Sequence, residues 1–382
     1  MIKRYLFAPG PTPIPGEVLR AMAEEIVHHR TPQFSRIFAD VREGLKTLFG
    51  TKNDVLVLTS SGTGAMEAAV ANLFSPGAKV LIVNGGKFGE RWLKISQAFG
   101  LEPVELKVEW GKAVKVEAIG RELKLHPDIQ AVLLQASETS TTVFHPVREI
   151  AGITRNGPLL IVDGVTAVGV LPIAMDEWGI DVLVTGSQKA LMLPPGLGFI
   201  ALSARAWERT AKAKSPRFYF DLRLERKIQQ QGTTAFTPAV SLVFGLRAAL
   251  KMIRAEGLER VYARHERLAR ATRAAATALG LRLLAPEDPS PAVTGIWLPK
   301  GMDGDSLLDY LRERMGITFA EGQDHLEGKI IRISHMGYVG AFDVLVAVGA
   351  LEMALKKFGL PVKLGQGVAA AEEILMEALH EG

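Results

Sequence analysis

Val182-Leu183-Val184-Thr185-Gly186-Ser187-Gln188-Lys189 is the stretch on which the reading of this chain turns. Its first residues are apolar and β-branched without polar alternation, the pattern of a strand buried on both faces, and a Gly-Ser turn follows at once. Runs of the same texture recur at Val55–Thr59, 79–83, 131–135, 159–162 and 199–202, and after the first of them the pattern turns helical near Ala65. Short buried strands alternating with helical segments predict an α/β fold, with a mostly parallel central sheet covered by helices.

Beyond about residue 255 the texture changes to a long Arg-rich helical pattern. Strand candidates follow at 281–284, 294–298 and 330–334, with helical segments at 306–315 and 343–358. This reads as a smaller C-terminal α+β domain. The expected organisation is an N-terminal arm at 1–15, a large domain at 16–255 and a small domain at 256–382.

Composition narrows the function. The chain has 382 residues, 48% hydrophobic and 23% charged, which argues against a disordered or fibrous protein. Net charge is +4 from 45 basic and 41 acidic residues, too modest to imply a nucleic-acid partner. Arg254, Arg260, Arg264, Arg267, Arg270 and Arg273 form a stripe, but Glu256, Glu259 and Glu266 are interleaved, as on a solvated helix face. The basic segment 205–227 carries Phe218, Tyr219 and Phe220; stacking on bases and packing at a domain or subunit boundary both fit it. No apolar run reaches the roughly 18 residues of a membrane span and no signal-type segment opens the chain, so a cytoplasmic protein without membrane contact is expected. The cysteine count is zero. That excludes a disulfide framework, thiolate-bound metal and a cysteine nucleophile, and no metal is expected.

Three strand ends carry candidate chemistry. Ser60-Ser61-Gly62-Thr63-Gly64 suits either an anion loop, with backbone N–H groups and a helix dipole facing a phosphate, or an ordinary strand-to-helix turn. Asp163 follows a buried strand at 159–162 and suits either a ligand at the carboxyl edge of the sheet or a helix N-cap. Lys189 ends the opening stretch with no acid beside it in sequence. It is either a surface lysine or an amine that a desolvated pocket frees to attack a carbonyl. Taken together they match what pyridoxal 5'-phosphate needs: a phosphate cradle, a carboxylate for the pyridinium nitrogen and an imine-forming amine.

The chain also resembles a known family. The matching segments are Pro9-Gly10-Pro11-Thr12, His29-Arg30-Thr31-Pro32, Ser61-Gly62-Thr63-Gly64-Ala65-Met66-Glu67-Ala68, Gly86-Lys87-Phe88-Gly89-Glu90-Arg91, Glu138-Thr139-Ser140-Thr141 and Val162-Asp163-Gly164-Val165. They continue with Gly186-Ser187-Gln188-Lys189-Ala190, Pro194-Pro195-Gly196, Thr237-Pro238-Ala239-Val240-Ser241-Leu242 and Ile331-Arg332-Ile333-Ser334. On these the sequence resembles the class V aminotransferases of pyridoxal-phosphate transferase fold type I, nearest the alanine–glyoxylate and serine–pyruvate group.

The resemblance implies that Lys189 holds the cofactor as a Schiff base and moves the substrate α-proton, and that Asp163 keeps the ring nitrogen protonated. It implies phosphate contacts from Ser61, Gly62, Thr63 and Gln188, ring stacking by Phe88, packing by Val165, and a place for Ser140 near the ring hydroxyl and the substrate carboxylate. Arg332, odd as a charge inside an apolar strand, would clamp that carboxylate. Thr234 or Thr237 would reach the phosphate of a neighbouring subunit in a homodimer. Phe88 stands where the family often has Trp, and Thr63 where animal members carry a ring-stacking His. The implied reaction is ping-pong transfer from a small amino acid, serine or alanine, to glyoxylate or pyruvate, since one arginine clamp is evident; Arg217 or Arg30 could supply a second. Phosphoserine or aspartate transamination and a non-catalytic cofactor-binding subunit are the alternatives. Cysteine desulfuration is removed by the missing cysteine.

Overall fold

Seven strands form the central sheet of the computed structural model, which describes residues 2–377. In chain order they are β1 (Val55–Thr59), β2 (Lys79–Asn84), β3 (Glu102–Lys107), β4 (Ala131–Gln135), β5 (Leu159–Asp163), β6 (Val182–Gly186) and β7 (Leu197–Leu202). Their spatial order is β1-β7-β6-β5-β4-β2-β3. Strand β7 runs antiparallel to both its neighbours, and the remaining pairings are parallel.

Every strand of this sheet except β3 buries both faces, β1 at the other edge included. Val55, Val57, Leu81 and Val83 face a core built with helix α1 (Pro32–Phe49), through Phe34, Phe38, Val41 and Leu45. Their alternates Leu56, Leu58, Val80 and Ile82 face helix α2 (Gly62–Leu73) and Trp92 of helix α3 (Lys87–Ala98). Period-2 alternation of two apolar sets therefore reads as an unbroken apolar run in sequence. Strand β3 is different. It is an edge strand in which Glu102, Glu105 and Lys107 alternate with partly buried residues, and Pro103 takes a place where no second neighbour needs its N–H.

After the helices α4 (Val240–Glu256) and α5 (Leu258–Ala278), a second sheet forms from β8 (Arg282–Leu283), β9 (Val293–Trp297), β10 (Ala320–Glu321) and β11 (Ile330–Ser334). Its order is β8-β9-β11-β10, antiparallel throughout. Helix Ala341–Lys357 packs on it through Ala347, Leu351, Ala354 and Leu355. Three arginines of α5 pair with acids: Arg264 with Glu256, Arg270 with Glu377 and Arg273 with Glu266. The N-terminal residues join this part of the molecule, Tyr5–Leu6 pairing in parallel with Ile317–Thr318 while the Phe7 carbonyl accepts from Ser334 N at 2.7 Å. Among the described residues no helix is long and apolar enough to cross a membrane.

Candidate active site

The carboxyl ends of β1, β2, β4, β5 and β6 open on one edge of the sheet, where open α/β folds place their ligands. The segment expected as a loop before the helix is the helix's own first turn: α2 begins at Gly62, and Ser61 is its N-cap, its Oγ accepting from Gly64 N at 3.4 Å. The Gly62 and Thr63 amides are left without acceptors among the described residues, as the opening turn of a helix requires. Close approach depends on glycine. A Cβ on Gly62 would come within 2.7 Å of Val165 Cγ2, and one on Gly186 within 3.2 Å of Gly62 N. The turn is thereby pressed against the ends of β5 and β6.

Asp163 closes β5. It is buried, and Oδ1 accepts from Val165 N at 2.8 Å, while Oδ2 has no donor among the described residues. Burial raises its carboxyl to about 6; the Val165 N–H opposes the shift, Glu138 adds to it, and Arg91 and Lys189 oppose it. Lys189 follows β6 by three residues and is also buried. Desolvation brings its amine down to about 8; Asp163 opposes that, and Arg332 and Arg91 add to it. Its Nζ donates to the Pro9 carbonyl, Thr12 Oγ1 donates to its carbonyl at 2.8 Å, and a Cβ on Gly10 would collide with Nζ. Gln188 Oε1, beside Gly186, is buried without a partner among the described residues.

On the opposite wall, Phe88 lies in the first turn of α3, with the Arg91 guanidinium 4.7 Å from its ring centroid. Arg91 Nη1 also donates to Thr63 Oγ1 at 2.9 Å, tying α3 to the first turn of α2. Ser140 is fully buried, its Oγ donating to Glu138 Oε1 and accepting from Lys87 N. Arg332, central in β11, crosses from the second sheet to this edge. Its Nε donates to the Glu321 carbonyl at 2.8 Å and Nη1 to the Thr139 carbonyl at 2.9 Å, while Nη2 has no protein acceptor among the described residues. Burial lowers it to about 10, with Glu138 and Glu321 opposing the shift, so it stays charged at neutral pH.

Ser61, Gly62, Thr63, Phe88, Ser140, Asp163, Val165, Gln188, Lys189 and Arg332 thus border one edge. Thr234 and Thr237 stand apart, lining a small cavity with Thr59, Tyr219 and Glu225, and Thr234 Oγ1 donates to the Phe236 carbonyl at 2.6 Å. Arg217 is held by the carbonyls of Ala71, Thr210, Ala213 and Ser215. Glu138, Arg91 and the Pro9 carbonyl were not singled out in the sequence. Glu138 carried a signal of the same kind as Asp163, an acid a few residues past a buried strand.

The donor set fits pyridoxal 5'-phosphate. Free first-turn amides suit a phosphate, an open Asp163 oxygen suits a ring N–H, and a buried amine with a lowered pKa suits an aldehyde.

The Aminotransferase class-V model matches residues 4–344. Among curated relatives, the small subunit of a soluble hydrogenase from Synechococcus is 43% identical, covering 98% of this chain and 99% of its own length. An L-aspartate–glyoxylate aminotransferase from Paracoccus denitrificans is 39% identical over 96% of this chain and 95% of its own. Among solved structures, the ureidoglycine–glyoxylate aminotransferase of Bacillus subtilis superposes with a TM-score of 0.92 at 31% identity, covering 98% of both chains. The fold is the type I pyridoxal-phosphate transferase fold expected from the sequence. With the family's model spanning most of the chain and relatives matching it nearly end to end, this protein belongs to the class-V aminotransferases.

Proposed function

We propose that the chain binds pyridoxal 5'-phosphate at Lys189 and moves an amino group from a small amino acid, serine or alanine, to glyoxylate or pyruvate. The observation that carries this reading is the convergence, on one sheet edge, of a buried amine, a buried carboxylate with an open oxygen, a helix turn with two open amides and a buried arginine with a free edge. When bound, the cofactor supplies an aldehyde for imine exchange and a ring that takes up the electron pair left when the Cα–H bond breaks.

The protein's residues do the rest. The Gly62 and Thr63 amides, with Ser61 and Gln188, hold the phosphate, and Asp163 accepts the ring N–H and so keeps it in place. Phe88 and Val165 pack against the ring, and Ser140 lies at its edge. Arg332 binds the substrate α-carboxylate, which fixes the orientation of the Cα–H bond. Lys189 Nζ, once displaced, would take the proton from Cα and give it to the cofactor's aldehyde-derived carbon within the same half-reaction, and would run that transfer in reverse for the second. In a homodimer Thr234 and Thr237 reach the phosphate of the neighbouring site.

The names of two relatives share glyoxylate as acceptor, which supports that half of the reading. The donor rests on charge. Arg217 is held by main-chain carbonyls, and Lys87 is neutralised by Glu90 and Asp324, so neither is free to bind a side-chain carboxylate or phosphate, whereas Arg30 is exposed and is the cation that an acidic donor would use. Serine, alanine, aspartate, glutamate and phosphoserine, each assayed with glyoxylate, pyruvate and 2-oxoglutarate, test this directly; aspartate as the preferred donor would overturn the small neutral donor. Holoenzyme should show a visible absorbance band that Lys189→Ala abolishes. A protein that stays colourless after reconstitution would refute cofactor binding, and sedimentation as an active monomer would refute the dimer.

A further inference from the structure

Glu138 is fully buried three residues beyond the end of β4, yet the mechanism above gives it no task. Its Oε2 accepts from Phe88 N and Gly89 N, both at 3.1 Å. Its Oε1 accepts from Ser140 N at 3.1 Å and from Ser140 Oγ at 2.5 Å. Four donors thus converge on two oxygens, three of them backbone amides that can only donate; burial raises the Glu138 carboxyl, and the hydrogen bonds from Ser140, Gly89 and Phe88 oppose that shift and favour the carboxylate. Ser140 Oγ in turn accepts from Lys87 N at 2.9 Å, which closes the loop back onto the start of α3. Gly86 makes room for this arrangement: a Cβ there would collide with Ser140 Oγ and stand 2.5 Å from Glu138 Cδ.

Phe88 and Ser140 belong to different elements, one on α3 after β2 and the other on the turn after β4. Both backbones are fastened to the same carboxylate. We infer that Glu138 is a positioning residue, its carboxylate holding the Phe88 ring and the Ser140 hydroxyl in the register that places both against the cofactor ring. This rests on the cofactor reading above. A bare helix cap for α3 would need only the Phe88 and Gly89 amides; the paired bonds to Ser140 are what a cap leaves unexplained.

Glu138→Gln keeps the shape but turns an NH₂ group toward two donors. The measurement is titration of the cofactor-free chain with pyridoxal 5'-phosphate, followed by absorbance and by circular dichroism of the cofactor's visible band. Expected are an unchanged far-ultraviolet spectrum, a dissociation constant raised about 10- to 100-fold, and an altered visible dichroism at saturation, since ring orientation has changed. In a Ser140→Ala background the same substitution should cost less than it does alone, because one of its partners is already gone. Wild-type affinity and wild-type dichroism in a merely less stable Glu138→Gln protein would overturn the inference and leave a helix cap. Should Glu138→Gln fail to fold, Ser140→Ala alone decides: affinity and dichroism unchanged from wild type would equally overturn it. Wild-type protein that takes up no cofactor would sink the cofactor reading itself, an outcome distinct from both.

Discussion

A lysine amine ordinarily keeps its proton to about pH 10.4; at Lys189 burial brings that point down to about 8. Only the neutral amine attacks an aldehyde. The rate at which cofactor-free protein captures pyridoxal 5'-phosphate should therefore climb with pH and level off above about 8, read from growth of the visible band; a flat profile from pH 6.5 to 9 would contradict this. Arg332 yields a second expectation. Lysine there keeps a charge but loses the planar fork that spans Thr139, Glu321 and a bound carboxylate, so Arg332→Lys should lower kcat/KM for the amino donor by about 10- to 100-fold, mainly through KM. At this scale the sequence was informative about residue types and silent about surroundings. Lys189, Asp163 and Arg332 stood out as charges at the ends of, or inside, apolar runs. Arg91 sits in a helical segment where a charge is ordinary, Glu138 stands three residues past a buried strand, and their contacts are with residues 28 positions away and about 50 positions away respectively.

At the scale of elements, α3 lies hard against β2. A Cβ on Gly89 would stand 2.6 Å from the Val83 carbonyl oxygen and 2.8 Å from Asn84 Cα, both backbone atoms that cannot swing aside. Gly89→Ala should cost about 1–3 kcal/mol by overpacking, measured by urea denaturation, and should weaken cofactor binding because Phe88 is its neighbour; unchanged stability would show that α3 can shift without cost. The buried strands were legible because apolar β-branched runs have few alternatives. The edge strand β3 was not, because its charges and Pro103 read as loop, and only pairing with β2 makes it a strand. The start of α2 was placed three residues late for a related reason. Two glycines in four residues argue against helix by propensity, and what holds Gly62 and Gly64 in the helix is the Ser61 cap and the packing of the turn on β5 and β6.

Across the whole molecule, burial leaves several histidines neutral. His145 is fully buried, its Nδ1 accepting from Val114 N at 3.1 Å, and desolvation lowers it to about 4. The unfolded chain takes up that proton near pH 6.5, so unfolding binds a proton between the two values and stability falls as pH drops through them. The slope from this one group is about 1.4 kcal/mol per pH unit. In His145→Gln the stability gap to wild type, measured by urea denaturation at pH 7, 6, 5 and 4, should narrow toward acid; a gap independent of pH would exclude this linkage. The same scale shows how distant parts meet at Lys189. Phe7 is tied to Ser334 of β11, the strand that carries Arg332, and five residues later Thr12 is tied to Lys189, so the arm joins the second sheet to the first at the site. By itself the sequence determined the class of fold, the apolar strands and which charged residues stand at their ends or inside them, because hydrophobic period and chemical type are local properties. Only the tertiary structure decided which oxygens are open, how far burial moves each proton, and that Glu138 fastens Phe88 to Ser140, because desolvation and hydrogen bonding depend on atoms that the chain brings together from far apart.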